Sequence, residues 1–149
     1  MAKRIALEFD GGKLFQAELL ESLAPETCRQ VWDALPIAEE LGHGLHSGAV
    51  LNVHTAALAV RRYENTAVLG MQRGDLFLDL RLLNEEIRGG WQEIRIIYGP
   101  ATFFSPQIGY APCNGFATIV EGSLAELRAI GSAVHRRGYQ RITIRRVEG

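Results

Sequence analysis

Separate stretches of this chain alternate apolar and polar residues with a period of two, and only two stretches carry a helical stripe. Ile5, Leu7 and Phe9 alternate with Arg4, Ala6 and Glu8, the pattern of a strand with one face in a core. Asp10-Gly11-Gly12 supplies the glycines a tight turn requires. Phe15, Ala17 and Leu19 alternate on the return, so the chain opens with a β-hairpin. Leu76, Leu78, Leu80 and Leu82 alternate with Phe77, Asp79 and Arg81 after a Gly74-Asp75 turn. Residues 93–98, 116–120 and 141–145 read as further strands. Residues 42–60 read as β structure with a soft centre at Asn52-Val53-His54-Thr55, residues 61–65 as a polar loop, and Glu85-Glu86 with Gly89-Gly90 as an exposed turn.

The first helix is expected from Pro25, which suits a position with no N–H partner to lose, up to Pro36, which stops it. Cys28, Val31, Trp32 and Leu35 form its apolar stripe. The second opens on the capping box Ser123-Leu124-Ala125-Glu126 and buries Leu124, Leu127, Ile130 and Val134. It ends on His135-Arg136-Arg137 before Gly138, with cations at the negative end of the helix. Many strands with two helices set far apart point to a closed sheet whose open ends the helices cover.

At 149 residues, 47% hydrophobic and 22% charged, with a net charge of −1, the chain reads as a single globular domain over residues 1–149. Five arginines against one acid crowd residues 135–149. Without stacking aromatics that basic end reads as a helix terminus and a strand face, and no nucleic-acid partner is expected. No apolar run approaches the roughly 20 residues that span a bilayer, so no membrane partner is expected. Met1–Asp10 reaches an acid before any signal-like core forms, and two cysteines make no disulfide framework. A cytoplasmic protein is expected.

Residues 99–115 combine glycines and prolines with Phe103, Phe104 and Tyr110. A long loop with such bulk must lay it on the sheet or on a ligand. Tyr98, Phe103, Phe104, Tyr110 and Asn114 therefore read either as an aromatic pocket wall with one amide or as a lid sealing the sheet, and Cys113 lies among them. His43, His46 and His54 fall within twelve residues. Imidazole moves protons near neutral pH, and His46 and His54 are the catalytic candidates, with Arg61 and Arg62 set to hold an anionic group. The spacing matches no metal motif, and no metal or cofactor is expected. Cys28 reads as core.

The element order resembles the cyclophilin-like barrel. Ala24-Pro25-Glu26-Thr27 resembles the Ala-Pro-Lys-Thr helix start of cyclophilins, and Phe116-Ala117-Thr118-Ile119-Val120-Glu121-Gly122 resembles their Phe-Gly-x-Val-Val-Glu-Gly strand. More closely, the chain resembles a small family of bacterial cyclophilin-like proteins of unknown function, through Glu64-Asn65-Thr66, Gly74-Asp75, Tyr98-Gly99, Asn114, Phe116-Ala117 and the ending Gly138…Ile142-Thr143. The resemblance implies a mostly β fold with two helices, a closed cyclophilin-like β-barrel capped by helices at its ends. Prolyl isomerases of this fold carry Phe-His-Arg where this chain has Leu45-His46-Ser47. Without that arginine the twisted prolyl amide lacks its electrostatic stabiliser, which argues against isomerase activity. Cyclophilin-like domains also occur in oxoprolinase subunits and cucumopine synthase, which act on small acids. The resulting expectation is a protein that binds or modifies a small, acid-like metabolite between the His46–His54 segment and the 98–116 loop. The alternatives are a non-catalytic homo-oligomeric module and, behind it, a residual prolyl isomerase.

Overall fold

The computed structural model describes residues 2–82 and 90–148, so the turn expected at Glu85-Glu86 with Gly89-Gly90 lies, but for Gly90, outside the described residues. β1 (Arg4–Phe9) and β2 (Leu14–Leu19) form the expected hairpin, turned at Asp10–Gly12 with Gly11 at φ 82°. Then follow α1 (Pro25–Ala34), β3 (Ile37–His43), β4 (Gly48–Thr55), the short β5 (Thr66–Ala67), β6 (Asp75–Asp79) and β7 (Gln92–Ala101). A small hairpin of β8 (Phe104–Ser105) and β9 (Gly109–Tyr110) precedes β10 (Cys113–Glu121), α2 (Leu124–Arg137) and β11 (Gln140–Arg146).

The sheet runs β2-β1-β11-β3-β4-β7-β6-β10, and β10 returns to β2 through Ala117↔Leu19 and Ile119↔Ala17. Eight antiparallel strands thus close into a barrel, which removes the exposed edges of an open sheet. The alternation seen in the sequence sets the inside. Leu7, Phe15, Leu41, Leu51, Leu76, Leu78, Ile94, Ile96, Phe116, Ile142 and Ile144 are each no more than 1% exposed.

The helices cover the two ends, as expected. At one mouth Ala59 N–H donates to the Gln30 side chain of α1 (3.0 Å) and Arg146 Nη2 donates to Trp32 O (2.9 Å). At the other mouth Gly131 of α2 faces the Tyr98 ring, and His135 lies 4.6 Å from the His43 ring. The buried stripes differ in detail from expectation. α1 buries Thr27, Cys28 and Val31 while Trp32 stays half-buried, and α2 buries Leu127, Gly131 and Val134 with Leu124 and Ile130 at its flanks. A glycine enters the second stripe because Tyr98 takes the space a side chain would need.

The barrel also buries part of its outside. Val50, Ile97, Phe77, Phe103 and Cys113 form a second apolar cluster on the outer face of β4, β7, β6 and β10. The segment carrying β8 and β9 closes over it. Phe103 N–H donates to Val68 O (2.8 Å) and Thr102 N–H to Ser47 O (3.0 Å). This flap is fastened by Phe103, which is fully buried.

A Cβ at Gly131 would sit about 2.5 Å from Tyr98 ring atoms. Alanine would favour the helix by about 1 kcal/mol, but overpacking costs about 1–3 kcal/mol and pushes Tyr98 off His43. Gly131→Ala is therefore expected to lower the urea midpoint without changing the slope of the transition.

Candidate functional site

The outer face of the barrel beside the flap carries charges that alternate with the inward leucines and isoleucines. Because β6 and β7 pair Asp79 with Glu93 and Phe77 with Arg95, two carboxylates face each other across the ladder. Like charges directly opposite are unfavourable, and Arg95 resolves the conflict. Its Nη2 donates to Asp79 Oδ2 (2.8 Å) and its Nε to Glu93 Oε1 (3.0 Å). Its guanidinium lies 5.0 Å from the Phe103 ring. Glu93 is 4% and Arg95 13% exposed at the side chain, so these ion pairs escape most solvent screening.

Burial pushes the Asp79 carboxyl above its ordinary value, although Arg95 pulls the other way. Burial would also raise Glu93, but the hydrogen bond from His54 and the charge of Arg95 prevail and hold it below the ordinary value. His54 Nε2 stands 3.1 Å from Glu93 Oε2, with about half of the imidazole side chain in solvent. Nε2–H donating to the carboxylate leaves Nδ1 with its lone pair, the arrangement of an oriented general base. The ring stacks on Trp91 with centroids 3.9 Å apart and planes at 27°. The Arg81 guanidinium lies 3.6 Å from that indole ring. Arg81 takes a left-handed φ of 59°, and its N–H donates to Asp79 Oδ1 (2.9 Å). That turn ends β6 and aims Arg81 back at the cluster.

These side chains form one wall of a groove of about 240 Å³. Asn52, His54, Asp79, Arg81, Glu93 and Arg95 make the polar side, and Phe104, Ile108 and Ala111 of the flap face them, with Leu45, His46 and Ser47 at the end. An adjoining hollow shares His43, Asn52, His54 and Tyr139. His43 is locked: its Nδ1 lies 2.7 Å from Gly44 O and its Nε2 2.6 Å from the Tyr98 hydroxyl. Nδ1–H donating to the carbonyl makes Nε2 the acceptor of the Tyr98 proton. Burial lowers the His43 pKa and keeps that ring neutral.

Of the residues picked out in the sequence, His46, His54 and Phe104 line this groove. His46 is exposed at its end, and Tyr110 packs edge-on against Phe104 at 5.7 Å. The remainder lie elsewhere. Phe103 and Cys113 belong to the second core, where burial pushes the Cys113 thiol well up and leaves it unreactive. Tyr98 points into the barrel mouth against α2. Asn114 is fully buried, donating to Thr27 Oγ1 (3.1 Å) and Arg62 O (2.8 Å) and accepting from Glu64 N–H (3.1 Å). It clamps the 62–66 loop to the start of α1, where Glu64 also accepts from Thr27 N–H (2.6 Å). Arg61 and Arg62 lie on the surface beyond the groove, and Arg62 Nε stands 4.0 Å from Glu64. Ser47 donates to Phe104 O (3.4 Å) and so holds the flap. Among the described residues no group of three His, Cys, Asp or Glu side chains is arranged to hold a metal ion, and no helix is long and apolar enough to cross a membrane.

Residues missing from the sequence reading are Asn52, Asp79, Arg81, Trp91, Glu93 and Arg95. The usable signal was charge alternation in two strands, Leu-Asp-Leu-Arg at 78–81 and Glu-Ile-Arg-Ile at 93–96. Those charges look like a solvated face until pairing sets Asp79 against Glu93.

A family profile described as a protein of unknown function, DUF3830, matches residues 5–145. The chain belongs to that family. Among solved structures, this DUF3830 protein is similar to McbB, in a structure described as McbB in complex with tryptophan, with 21% identity and a TM-score of 0.77. That match takes in 97% of this chain but 45% of the McbB chain, so the DUF3830 protein spans less than half the length of that neighbour. It is also similar to the hypothetical protein AF2241 from Archaeoglobus fulgidus, with 21% identity, a TM-score of 0.65, and 98% and 95% of the two chains matched. At these identities the likeness shows the fold. No curated protein matches the chain.

Arg95→Met leaves Asp79 and Glu93 facing each other in a buried site, and removing one partner of a buried pair costs about 3–5 kcal/mol. In the native protein Asp79 is raised and Glu93 lowered, so their contributions to pH dependence oppose one another. Without the guanidinium both folded-state values rise above those of the native protein, because Arg95 lowers each of them. Stability lost by the variant is then regained as pH falls below those values. Urea titrations of both proteins between pH 7 and pH 4.5 should show the gap narrowing; a constant gap would count against the assigned pairing.

Proposed function

We propose that this DUF3830 protein binds a small metabolite in the groove between the outer face of β4, β6 and β7 and the flap, with His54 as the proton-exchanging residue. The carrying observation is the His54–Glu93 pair, half-open to the groove and fixed from behind by the buried Arg95. A carboxylate that orients imidazole and stabilises its protonated form is how general bases are built. The opposite wall supplies Phe104, Ile108 and Ala111, so the favoured ligand has a compact apolar body and a polar head of acid or amide type. The polar contacts foreseen for Arg61 and Arg62 pass to Arg95 and Arg81, which line the groove. McbB, which carries a similar barrel within a longer chain, is described in complex with tryptophan, and that supports a small-molecule ligand here. The cyclophilin-like reading of the fold goes with this proposal, as does a cytoplasmic setting, but prolyl isomerisation does not, because Ser47 serves the flap.

A second reading rests on exposed aromatic side chains of the flap, Phe104 at the groove rim (42%) and Tyr110 (60%). An exposed aromatic pair beside Leu45 would suit contact with a second copy of this chain. Light scattering on Tyr110→Ser separates the two, since an interface would dissociate while ligand responses stay intact.

Calorimetric titration with a panel of amino acids, keto acids, lactams and hydantoins tests the main reading. At least one class is expected to bind, and His54→Ala should weaken that binding while its circular dichroism shows the barrel still folded, with a lower melting temperature from the lost bond to Glu93. Silence across the panel, with no ligand raising the melting temperature, would sink it.

A further inference from the structure

The C-terminal half of α2 meets the barrel through three rings. Gly131 leaves room for Tyr98, whose ring atoms stand 2.5 Å from where a side chain at 131 would begin. One turn further on, His135 lays its imidazole against that of His43, with centroids 4.6 Å apart and planes at 45°. The His43 ring lies 5.6 Å from the Tyr98 ring. Its Nε2 accepts the Tyr98 hydroxyl proton (2.6 Å), while Nδ1–H donates to Gly44 O (2.7 Å). Burial raises the Tyr98 pKa, so the phenol stays a donor. The last turn of the helix therefore docks on an imidazole that must be neutral to act as an acceptor.

Protonating His43 undoes this in two ways. Nε2 turns from acceptor to donor, and the Tyr98 hydroxyl loses the lone pair it donates to. The ring also gains a charge directly against His135, which Arg136 and Arg137 follow in the last turn of α2. The carbonyl end of a helix favours a cation, but when both imidazoles are protonated, two unit charges this close repel more strongly than that. No carboxylate bonds to the ring. Glu39 and Glu40 of the same strand border the adjoining hollow with His54 of β4, Tyr139 and Arg141, and His46 stands on the turn that follows. Among the described residues none of these bonds His43, whose nitrogens are taken by Gly44 and Tyr98. Burial lowers the His43 pKa, the bond to Gly44 O opposes that, and His135 lowers it further.

We propose that the His43–His135 ring pair is an acid-sensitive clasp: at neutral pH it docks the C-terminal turn of α2 on the barrel mouth, and proton uptake by His43 releases that turn. The clasp stands whatever the groove binds, yet it reaches the groove, because His43 lines both it and the adjoining hollow. A released ring in water holds its proton more tightly than the docked one. Release therefore grows as pH falls from the ordinary imidazole value of 6.5 through the lower docked value.

Hydrogen exchange on the whole chain tests this, read as protection factors so that the intrinsic pH dependence of exchange is divided out. Between about pH 7.5 and about pH 5, protection of the amides at residues 133–138 should fall by up to about tenfold per pH unit, the limit for one proton. The core amides of Ile94 and Ile96 should hold. His43→Gln keeps an acceptor for Tyr98 and a donor for Gly44 O but takes up no proton, and should flatten the response, with circular dichroism checking the fold. His135→Gln should raise the His43 titration point, followed by the nitrogen-15 shifts of its ring. Flat protection in the native protein, or an equal acid loss in a folded His43→Gln, would overturn the clasp. So would a His43 titration point that His135→Gln leaves where it was.

Discussion

Arg95 is the point on which the outer half of this molecule turns. It lies on the outside of a closed barrel, where a guanidinium would ordinarily meet water. The flap instead carries Phe103 over it, and the register of β6 and β7 brings two carboxylates to it. Each arrangement needs the other. Without the cation the acids would repel across the ladder, and without the acids a buried guanidinium would be too costly. The groove, the orientation of His54 and the docking of the flap all hang on that one charge-balanced cluster.

The division of labour between the two faces follows. Inside, aliphatic and aromatic side chains from all eight strands make up the main core, and Gln92 at its edge bonds the backbone of Val60 and Leu80. Outside, a second and much smaller apolar cluster anchors the flap, and the polar cluster lies beside it. An imidazole held by a carboxylate that is itself held by an arginine is a three-layer support, and it stands on strands rather than on loops. Such a site keeps its geometry while the flap beside it varies.

The barrel was legible because its period-2 alternation faces a single interior, and both helices announced themselves through Pro25, Pro36 and the Ser123–Glu126 box. The site was legible only in part. His54 and Phe104 emerged from residue type and position, yet Asn114, Tyr98 and Cys113 looked like binding residues and proved to be packing ones. Asn114 shows why: an amide in a loop-rich segment serves equally as a ligand contact or as a clamp, and only the long-range partners Thr27, Arg62 and Glu64 decide. The acids of β6 and β7 were invisible for the opposite reason. Polar residues alternating with leucine normally face solvent, and nothing local in the sequence reveals that residues 102–112 fold back over them.

The flap has a consequence for how relatives of this protein could diverge. Its root is pinned by Phe103, Thr102 and Ser47, while Ser105, Gln107 and Ile108 of its tip line the groove. Insertions, deletions or side-chain changes confined to that tip would reshape one rim of the cleft and leave every strand pairing of the barrel as it is. The shape of the cleft can therefore drift through a handful of surface positions while His54, Glu93 and Arg95 stay fixed on the opposite wall.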